Sequence, residues 1–149
     1  MRVIRFIPAL LALHLLAASV DPDPAKVDVI QPAKLAARIS TGAEKLTILY
    51  VGYPALYRKH HITGAILAGP VSKPKGLERL KEAVAKLPRH REVIIYCGCC
   101  PWDHCPNIRP AYRVLHQMGF TRVKVVSIAN NMNVDWALKG YPVVEGQSQ

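Results

Sequence analysis

Apolar positions along this chain follow two rhythms. Short unbroken runs, Ile48-Leu49-Tyr50-Val51 and Val93-Ile94-Ile95-Tyr96 among them, leave no polar face and read as strands covered on both sides. Elsewhere Leu77, Leu80, Ala83, Val84 and Leu87 recur at three- and four-residue steps with Lys and Glu opposite, the stripe of an amphipathic helix. The two rhythms together predict strands at 47–51, 65–68, 92–96 and 123–128, and helices at 32–40, 76–87, 108–118 and 131–138, with a helical turn at 54–60. Punctuation agrees: Pro32 suits a first helical turn, Pro88 stops a helix and Gly119 can cap one. Strands alternating with helices imply an α/β fold, a small, mostly parallel β-sheet flanked by α-helices in a single domain. In such sheets sites collect beyond the carboxyl ends of the strands.

The first residues belong to a different pattern. Arg2 and Arg5 precede an apolar stretch from Phe6 to Ala18, and the small residues Ala17 and Ser19 follow two apart. That is the layout of a secretory signal peptide, residues 1–19. The stretch falls short of the ~20 residues a membrane span needs, and Pro8 and His14 interrupt it. Residues 20–31, with Pro22 and Pro24, read as a linker, 32–145 as the domain and 146–149 as a tail. The expected location is exported, periplasmic or secreted, with no stable membrane insertion after signal cleavage.

Composition adds a sign. The 149 residues carry a net charge of +10, and loss of Arg2 and Arg5 with no acid lowers it to +8. The basic residues are scattered without the interleaved aromatics that stack on bases, so nucleic acid is excluded as a partner. The charge reads either as a solvated basic surface or as a field that attracts small anions or an anionic membrane surface.

All the chemistry-bearing sulfur lies in one window, Cys97-Gly98-Cys99-Cys100-Pro101-Trp102-Asp103-His104-Cys105, at the end of the 92–96 strand. Disulfides between such near neighbours close very small loops and constrain little of the unfolded chain, so a purely structural role fits poorly. A nucleophilic cysteine must be a thiolate, whereas a free thiol with a pKa of about 8.5 is mostly protonated at neutrality. Gly98 lets the chain curl just after Cys97, and curled amides plus the start of the next helix favour an anion there. Cys97 is therefore the expected ionised nucleophile. Cys100 is the second candidate, because residues 100–105 are themselves the size of an anion-binding loop. Gly98, Cys99 and Arg109 are candidates for holding substrate, and Cys99 or Cys105 for resolving a modified thiol into a disulfide. An alternative use of Cys97, Cys99, Cys100, Cys105 and His104 is a zinc or copper site, with thiol-disulfide redox chemistry as the third. Trp102 in the loop is a candidate shield against water. His61 and Trp136 read as core.

Four further segments, in order, resemble the rhodanese-like sulfurtransferase family. His61-Ile62-Thr63-Gly64-Ala65-Ile66 looks like its "GHIxGAI" segment, and Val93 to Cys97 like its strand ending in the active-site cysteine. Met118-Gly119-Phe120 then Val123 looks like "GFxxV", and Trp136 with Gly140-Tyr141-Pro142-Val143 like "WxxxGYPV". The resemblance implies an exported single-domain form with an expanded cysteine-rich loop. It further implies a sulfurtransferase that takes sulfane sulfur from a small anionic donor such as thiosulfate. Cys97 would hold that sulfur as a persulfide and pass it to cyanide or a thiol, including a protein thiol, with no cofactor. In phosphatase relatives an arginine stands six residues after the cysteine; here Asp103 stands there and would repel phosphate.

Overall fold

A computed structural model describes residues 26–42 and 44–146. The signal segment 1–19, the linker as far as residue 25 and tail residues 147–149 lie outside the described residues. In order come β1 (Val29–Ile30), α1 (Pro32–Thr41), β2 (Ile48–Tyr50), α2 (Pro54–Lys59), β3 (His60–Ile62) and β4 (Ala65–Leu67). Then follow α3 (Pro74–Val84), β5 (Val93–Tyr96), α4 (Ile108–Gln117), β6 (Val123–Val126), α5 (Met132–Asp135) and β7 (Val143–Glu145), with 3-10 turns at Trp102–His104 and Ala137–Lys139.

Five strands form one sheet in the order β1-β6-β5-β2-β4, every pair parallel, as the unbroken apolar runs require. Alternation sorts the side chains of β5 by face. Val93 and Ile95 join the core under α3 and α4, with Leu80, Val84, Ala111 and Leu115. Ile94 and Tyr96 join the opposite core, with Leu35, Tyr50, Met132 and Trp136. The predicted core residues His61 and Trp136 are buried, His61 Nδ1 lying 2.9 Å from the Tyr57 carbonyl. Among the described residues no helix is long and apolar enough to cross a membrane.

Three features differ from the sequence expectation. Val29–Ile30, inside the segment read as linker, pairs with β6 as an edge strand. β3 and β7 form a separate antiparallel ribbon, Ile62 opposite Val143. Each is too short to show a period. α3 begins at Pro74, two residues early, because a proline in the first turn needs no amide partner.

Backbone bonds gather the strand ends. The Val51 amide donates to the Tyr96 carbonyl (2.9 Å), Met132 to Gly98 (2.8 Å) and Trp102 to Ile128 (2.9 Å). The cysteine segment is thus fastened to the exits of β2 and β6. α4 buries Ile108, Ala111, Tyr112 and Leu115. At ~1.5–3 kcal/mol for each large side chain, that burial fixes the helix with its N-terminus at the carboxyl end of β5.

Candidate active site

The alternation that sets β5 continues one residue further, so Cys97 follows Val93 and Ile95 onto the α4 side of the sheet. There the 3-10 turn Trp102–His104 brings Cys105 back beneath it. The sulfurs of Cys97, Cys99 and Cys105 all lie within 4.8 Å of one another. Cys97 Sγ is 3.2 Å from Cys99 Sγ, which is 3.9 Å from Cys105 Sγ and 3.1 Å from Cys100 Sγ. Cys97 and Cys105 are buried, Cys100 is half-buried and Cys99 is exposed; all four are free thiols.

Ionisation does not fall where the sequence placed it. Cys105 is held down to about pH 6 as an acid. The neighbouring thiol of Cys97 lowers it first, and despite burial the amides of Asn107 and Ile108 and the thiol of Cys100 lower it further; the Ile108 amide itself donates to the Cys105 carbonyl (3.2 Å). Those amides belong to the N-terminal end of α4, where a helix favours negative charge. Cys97 is pushed far up, first by the neighbouring Cys105 sulfur and then by burial. Cys100 is also raised, first by burial and then by its bond to Cys99. The expectation that curled amides ionise Cys97 is therefore corrected. The amides serve Cys105, because the loop is long enough to carry that second sulfur to the helix start.

On its other side Cys97 opens into a cavity of about 250 Å³, lined also by Tyr50, Lys59, His60, Gly98, Cys99, Asn131 and Met132. The Tyr50 hydroxyl is buried in this wall and has no hydrogen-bond partner. Burial first, then the nearby thiol of Cys97, keep its proton on. Gly52 makes room for both groups: a Cβ there would stand 2.6 Å from the Tyr50 hydroxyl and 2.7 Å from Cys97 Sγ. Gly98 adopts φ +78°, and a Cβ on it would lie 2.9 Å from Cβ of Met132, so the curl and the close approach both call for glycine.

The remaining candidates separate. Arg109 is exposed on α4, donates to the Asp103 carbonyl (3.2 Å) and does not line the cavity. His104 is exposed and sits 2.9 Å from the Asp103 carboxylate, outside the three-sulfur group. Trp102 packs half-buried against the α4-side core. Asn107, which the sequence reading passed over, is fully buried. Its side-chain amide donates to Cys97 Sγ (3.6 Å) while its oxygen accepts from the Ser72 amide (3.0 Å). The signal was present in Cys105-Pro106-Asn107, an asparagine just before a helix, but such residues usually cap, and this side chain makes no cap bond. Tyr50, Lys59 and His60 were also passed over, because they reach the site only through strand pairing and through α2.

A family model for the rhodanese-like domain matches residues 31–128. The chain belongs to the rhodanese-like domain family. Solved structures agree on the fold. The Alr3790 protein from Anabaena sp. superposes with a TM-score of 0.62 at 20% identity, covering 80% of this chain and 94% of that one. The BH2092 protein from Bacillus halodurans gives 0.61 at 22% identity, covering 79% and 77%. No curated protein matches the sequence. In this rhodanese-like domain the cysteine that ends the central strand stands between two environments, the acidic thiol of Cys105 on the helix side and a cavity walled by Tyr50 on the other.

Proposed function

We propose that this rhodanese-like domain is an exported sulfurtransferase acting through a persulfide on Cys97. One observation carries the reading: Cys97 borders the cavity, and its sulfur lies within 4.8 Å of that of Cys105, the more acidic thiol. A small donor such as thiosulfate enters by Lys59 and His60, which line the cavity and suit an anion. Cys97 Sγ attacks the donor's outer sulfur as its proton passes to Cys105, so Cys105 acts as the base. The S–S bond of thiosulfate breaks, sulfite leaves with the bonding pair, and Cys97 carries the sulfane sulfur. Cyanide or a thiolate then attacks that outer sulfur, and Cys97 recovers its proton from Cys105. The Tyr50 hydroxyl and the Asn107 amide are the donors available to the sulfur atoms.

Thiosulfate-to-cyanide sulfur transfer by fully reduced protein tests the reading. Activity that disappears in Cys97→Ser and survives in Cys100→Ser supports it; transfer that survives in Cys97→Ser overturns it.

A further inference from the structure

Cys105 is 1% exposed and does not line the cavity that Cys97 borders, so no external molecule reaches it directly. Its reactive partners are the other three sulfurs. Cys97 is approached from two sides: Tyr50, which flanks the cavity, belongs to the core on one face of the sheet, and Cys105 to the core on the other. A sulfur atom added to Cys97 from the cavity therefore points away from Cys105. Cys105 Sγ, within 4.8 Å of Cys97 Sγ and on the face of the sheet away from Tyr50, is thus the buried sulfur within reach to displace that outer atom.

From this arrangement we propose a second activity, reductive release of the sulfane sulfur as hydrosulfide, with Cys97 and Cys105 as the two-electron reductant. The proposal rests on sulfur loading at Cys97. Cys105 Sγ attacks Cys97 Sγ, a Cys97–Cys105 S–S bond forms, and the bond from Cys97 Sγ to the outer sulfur breaks. The outer sulfur leaves with the electron pair as hydrosulfide, a better leaving group than an alkyl thiolate. Sulfane sulfur is reduced and two thiols are oxidised. Starting from thiosulfate, one sulfite and one hydrosulfide appear for each disulfide formed. An external dithiol closes the cycle. Cys99 is the entry for it, exposed and 3.2 Å from Cys97 and 3.9 Å from Cys105, so exchange passes the disulfide outward.

The test uses the full chain, reduced and then freed of reductant under anaerobic conditions, mixed with one equivalent of thiosulfate and no acceptor. The expected products are about one sulfite and one hydrosulfide per chain, the loss of two thiols, and a Cys97–Cys105 disulfide in peptides mapped without reduction. In Cys105→Ser, taken to completion because loading is slower, sulfite still forms and hydrosulfide falls at least tenfold. The sulfur then stays on the protein in a form cyanide removes. Sulfite without hydrosulfide in the unmodified chain overturns this proposal and leaves sulfur transfer standing, whereas absence of sulfite overturns both. Hydrosulfide that persists undiminished in Cys105→Ser overturns the assignment to Cys105. Peptide mapping of the unmodified chain is independent of whether any variant folds.

Discussion

The sulfurs of Cys97 and Cys105 lie within 4.8 Å of each other, and Cys105, beside the amides of Asn107 and Ile108 at the start of α4, is the more acidic of the two. The pair shares one proton above about pH 6. A buried nucleophile and its base are thus supplied by one residue type, eight positions apart in sequence and joined by the turn at Trp102–His104.

This sets the acidic limb of sulfur transfer. Below about pH 6 both sulfurs are protonated and activity falls; above it Cys105 can accept the proton of Cys97. Cys105→Ser removes that acceptor and leaves Cys97 buried, which holds its thiol above the ordinary value of about 8.5, so transfer at pH 7 drops at least about thirtyfold and the limb moves up by two or more pH units. The pH profile of kcat/KM for both proteins checks this, and an unmoved limb contradicts it.

Stability carries the same signature. Unfolded, Cys105 titrates near 8.5; folded, it titrates at about 6. Its stabilising contribution is complete above the higher value and is lost as pH falls through the lower one. Between pH 5.5 and 8 this group should add on the order of 2 kcal/mol to the unfolding free energy. Urea melts of native chain and Cys105→Ser across that range check it. The rise should be steeper in the native chain, and equal slopes count against the shift.

Much of the fold was readable from the chain, and the reason is local. β5 and β2 are unbroken apolar runs, and only a strand buried on both faces wants such a run. The four cysteines were visible as a site because they are contiguous in sequence. Tyr50 was not, since in the sequence it is one more apolar residue of β2; only the register that sets Tyr50 opposite Tyr96 brings its hydroxyl beside Cys97. The identity of the ionised thiol was equally hidden. It depends on a three-residue 3-10 turn with no hydrophobic period, which returns Cys105 to the amides of α4. β1, β3 and β7 are two or three residues long and make sense only against their partners.

The unpartnered Tyr50 hydroxyl is a group a fold meant only for stability would dispense with, because leaving such a donor buried costs ~1–3 kcal/mol. Tyr50→Phe is therefore expected to be as stable as the native chain or more so. KM for thiosulfate should rise about tenfold or more as the donor loses a hydrogen bond. Thermal melts and steady-state kinetics check the two halves, and a Tyr50→Phe protein with unchanged KM removes the hydroxyl from the site.

Gly52→Ala puts a methyl against Cys97 Sγ and the Tyr50 hydroxyl. Overpacking of this kind costs ~1–3 kcal/mol, and the shift it forces falls on the nucleophile. Chemical unfolding should register that loss together with a reduced rate of sulfur transfer. Normal rate and stability would mean that the site is looser than these contacts imply.

Asn107→Ala removes a fully buried amide and leaves the Ser72 amide without its acceptor. The cost is ~1–3 kcal/mol for the orphaned group, and Cys97 loses its side-chain donor. A urea midpoint within error of the native value contradicts this placement.

Mass spectrometry of reduced protein treated anaerobically with a single equivalent of thiosulfate, quenched early and digested without reductant, bears on the nucleophile itself. One added sulfur atom on Cys97, absent from Cys97→Ser protein, is the predicted result. Sulfur carried by Cys100 or Cys99, or neither added sulfur nor a Cys97–Cys105 disulfide, contradicts it.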